Sequence, residues 1–174
     1  MAAGISIGFI EKFLGEDARI IRIMPNTPAQ VGEAMTAVSR NENVDDQIYP
    51  AILEIFRGIG KAEDVPEEQI DCVIGVSGSS PAYTYMYIDA LAKAAVKNGM
   101  EPKKAREFAA QAVFGAAKMV LESDETPEQL RINVCSPGGT TIEAVKVLEE
   151  EGFRAAIMKA AQAAFSKSIE LGKK

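Results

Sequence analysis

Arg19-Ile20-Ile21-Arg22-Ile23-Met24-Pro25-Asn26-Thr27-Pro28 decides how this chain is read. Its first six residues are rich in β-branched side chains, and turn formers follow at once, which is the mark of a strand. Pro25 and Pro28 end it, because each lacks a backbone N–H and pushes the residue before it toward extended backbone. Working outward, Ser6 is placed to cap a helix over 7–14 that Gly15 closes. Residues 35–39 read as a second short strand. A helix is expected over 44–57, kinked at Pro50 and ended by Gly58 and Gly60. Residues 61–65 read as a third, weak strand. Strands alternating with helices point to a parallel α/β sheet. So few elements in residues 1–65 cover the two faces of such a sheet poorly. This stretch is therefore expected to be the latter portion of a doubly wound domain. The dinucleotide fingerprint G-x-G-x-x-G is not in it: Gly58-Ile59-Gly60 lacks the third glycine and follows a helix. The turn that cradles a pyrophosphate is thus not in this sequence.

From Pro66 onward the pattern is helical, so residues 66–174 are expected to form an all-α domain. Pro66 opens a short helix to 76, and Ser77-Gly78-Ser79-Ser80-Pro81 breaks it in a tight corner. A helix over 81–98 is apolar around most of its circumference, through Tyr85, Ile88, Leu91, Ala92, Ala95 and Val96. Tyr83, Tyr85 and Tyr87 on it read as core or interface. The helix over 102–122 carries Ala109, Ala110, Ala112, Gly115, Ala116 and Ala117, small residues that let helix axes approach closely. Helices apolar nearly all round are buried in something. In a chain this short the expected cover is a second subunit. Thr126-Pro127-Glu128-Gln129 is a capping box opening a helix to 134. Further helices are expected over 141–152 and 153–171.

Composition narrows the chemistry. The 174 residues contain no His, which excludes Ser–His and Cys–His nucleophile pairs and His-ligated zinc. Cys72 and Cys135 stand far apart in no CxxC. Each reads as a small buried apolar side chain in a reducing, cytoplasmic compartment. No metal site is expected. The net charge of −6 argues against a nucleic-acid partner. No apolar run reaches the ~20 residues a membrane span needs, so no membrane partner is expected. No basic segment leads into an apolar core at the start, so no signal peptide is expected.

Ser136-Pro137-Gly138-Gly139-Thr140-Thr141 is the stretch with chemistry in it. Pro137 fixes one backbone angle. Gly138 and Gly139 can take positive φ and leave room for a ligand against the backbone. The free N–H groups and positive dipole end of the next helix point into the loop. With the hydroxyls of Ser136, Thr140 and Thr141, this suits a small anion such as a carboxylate. A Thr-capped helix–loop–helix connection would use the same residues. Arg22 and Arg154 could each meet an anion, but an ion pair or surface role is the reading for Arg22 and a surface role the reading for Arg154.

Pro127, Leu130, Val134, Cys135-Ser136-Pro137-Gly138-Gly139-Thr140-Thr141, Ala144, Leu148 and Glu149 closely resemble the signature of the pyrroline-5-carboxylate reductase family. Ala2-Ala3-Gly4-Ile5-Ser6-Ile7, residues 22–28, 77–83 and 149–154, and Gly115-Ala116-Ala117-Lys118-Met119 are similar too, in the family's order. The resemblance covers nearly the whole chain. It implies a Rossmann-type domain for NADPH or NADH followed by an all-α dimerisation domain that interleaves with a second copy, a homodimer that assembles in many members into a decamer. It implies reduction of 1-pyrroline-5-carboxylate to L-proline, the last step of proline biosynthesis. Ser136, Gly138, Gly139, Thr140 and Thr141 would bind the substrate, with the Thr141 hydroxyl as the catalytic group on the imine nitrogen. Ala3, Met24, Pro25 and Asn26 would bind the nicotinamide end of the cofactor. Two departures are visible. The family's glycine-rich strand and turn have no counterpart here, so the chain by itself is expected to lack the cofactor-binding half and to be inactive. Ser80 stands where the family has Gly, which matters if that position needs positive φ. The alternative is a catalytically inactive dimerisation or carboxylate-binding module.

Overall fold

Ser6 opens the first helix, α1 (Ile7–Leu14). Its hydroxyl accepts the Phe9 N–H at 3.0 Å, and Gly15 at φ 91° closes the last turn. The structure, a computed structural model, describes residues 4–173; Ala3 lies outside the described residues. β1 (Ile21–Met24), β2 (Ala34–Arg40) and β3 (Gly60–Asp64) form one sheet in the order β1-β2-β3. β2 and β3 run parallel, from Ala34 opposite Gly60 to Val38 opposite Asp64. β1 is antiparallel to β2, with Ile21 opposite Arg40 and Met24 opposite Ala37, which corrects the expectation of an all-parallel sheet. Connection length explains it. A crossover takes about a dozen residues or more, and residues 25–33 fold straight back through a 3-10 turn, Thr27–Val31.

α2 (Tyr49–Arg57) begins five residues later than expected, because Pro50 sits in its first turn, not mid-helix. There its missing N–H has no helical partner to lose, so it starts the helix and makes no kink. The core of this region is Val38, Val44, Tyr49 and Ala62, with Ile21, Ile23, Leu53 and Phe56 packed against it. Tyr49 is buried to 4% exposure and its hydroxyl donates to Asp64 Oδ1 and, at 3.3 Å, to the Val38 carbonyl. The Arg40 guanidinium lies 4.2 Å over its ring. Burial first, and then the hydrogen bond to and charge of Asp64, raise the tyrosine well above its ordinary range. A raised group adds stability that is complete below its unfolded value of about 10 and fades as pH rises through the folded one. Tyr49→Phe is therefore expected to lower stability by about 1–2 kcal/mol at pH 7, by leaving Asp64 without its donor. It should also remove the tyrosine part of the alkaline loss above about pH 10, as measured by denaturant midpoints across pH.

After Pro66 the chain makes a 3-10 turn (Glu67–Gln69), α3 (Ile70–Val73) and a π-helical turn (Ile74–Gly78). Then follow α4 (Ser80–Lys97), α5 (Pro102–Glu122), α6 (Pro127–Val134), α7 (Thr140–Glu150) and α8 (Phe153–Gly172). The chain divides into two compact units, Met1–Ala82 with Met158–Lys174, and Tyr83–Ile157. Within the first, α8 packs on the segment after β3. The Ser168 hydroxyl, 2% exposed, donates to Asp71, and a Cβ on Gly75 would sit 2.7 Å from the Ala161 carbonyl oxygen. Within the second, only Ala105 and Ala109 among the described residues are buried. Large apolar side chains stand open on it, among them Met86, Phe108, Phe114 and Leu121. Exposed apolar surface, where contiguous, marks an interaction face. The cysteines are free: Cys135 is half-buried and Cys72 is exposed, which corrects the expectation that both are buried. Cys72 follows Asp71 on the short α3, too brief a helix to hide both faces. Among the described residues no helix is long and apolar enough to cross a membrane.

Candidate functional site

The loop between α6 and α7 gathers Ser136, Gly138, Gly139, Thr140 and Thr141 in one turn. Thr126 caps α6, its hydroxyl accepting the Gln129 N–H at 3.2 Å, and Pro127 fills the first helical position. The Gln129 Nε2 donates along the helix to Asn133 Oδ1 at 2.9 Å. At the far end Gly139 N–H donates to the Ser136 carbonyl at 3.0 Å. Gly138 takes φ 71°, the left-handed region where a side chain is strained. Gly139 is extended, at φ −81° and ψ 169°, and is needed for a different reason: a Cβ there would lie 2.7 Å from Ser136 Oγ. So one glycine makes the turn and the other lets Ser136 fold in close.

α7 begins at Thr140, one residue ahead of the expected start, with Gly139 as its cap. Glycine brings no side-chain acceptor, so no side chain caps the first-turn N–H groups. Those groups and the helix dipole leave a positive end facing an exposed loop. Thr141 is half-buried at the second position of that turn. This arrangement can hold an anionic group against backbone N–H donors, with hydroxyls beside it.

An ion-pair network that sequence reasoning missed ties the same helices together. Arg131 reaches Glu128 with its Nε at 3.1 Å and its Nη2 at 2.6 Å. Arg154, read from sequence as a surface or anion-meeting residue, spans Glu128 at 3.0 Å and Glu149 at 2.7 Å. The hydrogen bonds from Arg131, and then those from Arg154, pull the Glu128 carboxyl down to about 2. The only sequence signal was the Glu128–Arg131 spacing of one helical turn. Arg22, by contrast, has the ion-pair partner expected for it, Glu67 at 3.0 Å.

Met24, Pro25 and Asn26 occupy the turn at the carboxyl end of β1, which is also the amino end of β2. This turn meets the second motif singled out in the sequence. Asn26 Nδ2 donates to the Ser77 carbonyl at 3.1 Å, and a Cβ on Gly78 would lie 2.8 Å from Met24 Cε. Ser77-Gly78-Ser79-Ser80-Pro81 is not a corner between two separate helices but a π turn running into α4. Among the described residues no non-glycine residue has positive φ, so Ser80 sits where Gly is not required.

An α/β portion of a Rossmann-type domain followed by an all-α dimerisation domain is the class of protein this fold defines. Residues 67–171 match the family described as pyrroline-5-carboxylate reductase dimerisation. The chain belongs to the pyrroline-5-carboxylate reductase family. The pyrroline-5-carboxylate reductase of Escherichia coli K12 is 53% identical over 173 residues, 99% of this chain and 64% of the relative. That of Synechocystis is 46% identical over 172 residues, again 99% and 64%. Among solved structures, Plasmodium falciparum pyrroline carboxylate reductase with NADP bound superposes with a TM-score of 0.92 at 35% identity, covering 98% of this chain and 68% of that one. The Coxiella burnetii enzyme superposes with the same TM-score at 40% identity, covering 99% of this chain and 64% of that one. The chain thus spans 64% of the length of the curated relatives named here.

Proposed function

We propose that this chain supplies the substrate side of an NAD(P)H-dependent reductase that converts 1-pyrroline-5-carboxylate to L-proline. The observation that supports the reading is the α6–α7 loop, where Gly138 takes positive φ and no side chain caps the head of α7, leaving first-turn N–H groups suited to a small carboxylate. Ser136 and the backbone N–H groups of Thr140 and Thr141 bind that carboxylate, with Gly138 and Gly139 shaping the loop around it. The Thr141 hydroxyl hydrogen-bonds the imine nitrogen and orients the ring. A C=N bond accepts a proton more readily than a carbonyl, so no His is needed. A bound NAD(P)H supplies the hydride that the imine carbon accepts.

The residues fit one end of such a cofactor. Met24, Pro25 and Asn26 lie half-buried in a turn at a strand's carboxyl end, where they can border a nicotinamide together with Ala3. The pyrophosphate cradle, which this sequence does not contain, belongs by this reading to the part of the relatives' length that the chain does not span. The functional boundary falls at 65/66, in keeping with the family match that starts at residue 67. The open apolar surface of Tyr83–Ile157 is covered by a second copy in a homodimer, which can build on to a decamer. The compartment is the cytoplasm.

NADPH oxidation with 1-pyrroline-5-carboxylate tests the reading. The chain alone should show no turnover, and turnover should follow once a glycine-rich cofactor half is joined to it. The same α6–α7 loop would also serve a second reading, a dimerising carboxylate-binding module without chemistry. That module would bind L-proline with no dependence on cofactor and would stay inactive in the joined protein.

A further inference from the structure

Asn26 stands immediately before the 3-10 turn Thr27–Val31, yet its side chain makes no cap there. Both ends of its amide are engaged elsewhere. Oδ1 accepts the Met35 N–H at 3.0 Å, and Nδ2 donates to the Ser77 carbonyl at 3.1 Å. The second contact has a chemical cause in the sequence. The helical donor for the Ser77 carbonyl would be the backbone N–H of residue 81, and residue 81 is proline. Two donors beside it are engaged elsewhere: Ser79 N–H pairs with the Ile74 carbonyl at 2.8 Å and Ala82 N–H with the Ser79 carbonyl at 3.1 Å. A carbonyl left without a partner at this half-buried place is costly. π turns of this kind recur at functional sites.

We propose that Asn26 is a positioning residue: it supplies the donor that Pro81 withholds and so fixes the Met24-Pro25-Asn26 turn to the head of α4. Its oxygen and one of its two amide N–H groups are committed to Met35 and Ser77, and its role is that tie rather than contact with the cofactor. This rests on the reading of that turn as the nicotinamide border, and it reassigns Asn26 within it. Asn26 acts through Met24, whose methyl lies over Gly78, and through Pro25.

The test is a rescue read by hydrogen exchange. Asn26→Ala should raise exchange of the amides in residues 77–82 about tenfold or more, and that of Met35 as well. Adding Pro81→Ala restores an N–H opposite the Ser77 carbonyl. In the double variant the amides in 77–82 should return to within about threefold of wild type while Met35 stays fast. An Asn26→Ala chain that fails to fold where the double variant folds gives the same answer. A double variant no better protected than the single overturns the proposal. NADPH titration then separates positioning from ligation: the affinity lost in Asn26→Ala should return in the double variant, and an affinity that stays lost makes Asn26 a direct ligand and overturns the assignment. Wild-type chain that binds no NADPH, alone or joined to a cofactor half, overturns the nicotinamide reading of the turn, and the exchange comparison still decides the tie.

Discussion

Thr141→Ala is expected to slow reduction of 1-pyrroline-5-carboxylate about tenfold or more, in a protein that joins this chain to a glycine-rich cofactor half. A factor of ten corresponds to about 1.4 kcal/mol of transition-state stabilisation, within what one well-placed hydrogen bond supplies. The fold should survive. α7 is capped by Gly139 and not by Thr141, and alanine favours helix over threonine by a few tenths of a kcal/mol. Thr141→Ser keeps a hydroxyl at the same place and should keep most of the rate. Steady-state kinetics on the two variants, beside thermal melts, decide the matter. A Thr141→Ala enzyme that turns over like its parent would remove Thr141 from the chemistry.

Gly60→Ala carries the largest expected loss of stability. Gly60 opens β3 at φ 145°, and a Cβ there would stand 2.3 Å from both the N and the O of Ala34, its partner on β2. These are backbone atoms of the central strand, so no side chain can swing aside. Backbone strain and overpacking each cost about 1–3 kcal/mol, and together about 4 kcal/mol. That is most of the margin of a small domain. Chemical denaturation should find the variant unfolded or close to it. A midpoint near that of wild type would mean that β3 can shift away from β2 at little cost.

Elements whose ends are chemically marked were legible in the sequence. α5 runs Pro102–Glu122 and α6 runs Pro127–Val134, as read, because Pro in the first turn and an acceptor before it define where a helix starts. α1 followed from Ser6 and Gly15 in the same way. Pro50 carries the same signal: its place after a loose, polar stretch suits a helix start and not the expected kink. The direction of β1 was legible too, had the short return over 25–33 been weighed above the α/β pattern. The ties that hold the site regions were not legible. Asn26 and Ser77 stand 51 positions apart, and Ser168 and Asp71 stand 97 apart. No local pattern announces such pairs. The loop over 136–141 could be read because its conformational demands are local, one glycine for positive φ and one for close approach.

One feature of the chain's path bears on its synthesis. The sheet-bearing unit is built from Met1–Ala82 and Met158–Lys174, with Tyr83–Ile157 lying between them in sequence. Domains ordinarily fold as they leave the ribosome, the N-terminal one first. Here the unit begun before residue 83 cannot finish until residues beyond 157 arrive, since Ala161 and Ser168 close over Gly75 and Asp71. The nascent segment from α3 to the π turn must therefore wait, without its α8 partner, through the translation of residues 83–157. A ribosome stalled within 83–157 would hold this unit with Asp71 and Gly75 bare of α8, a form open to chaperones and proteases.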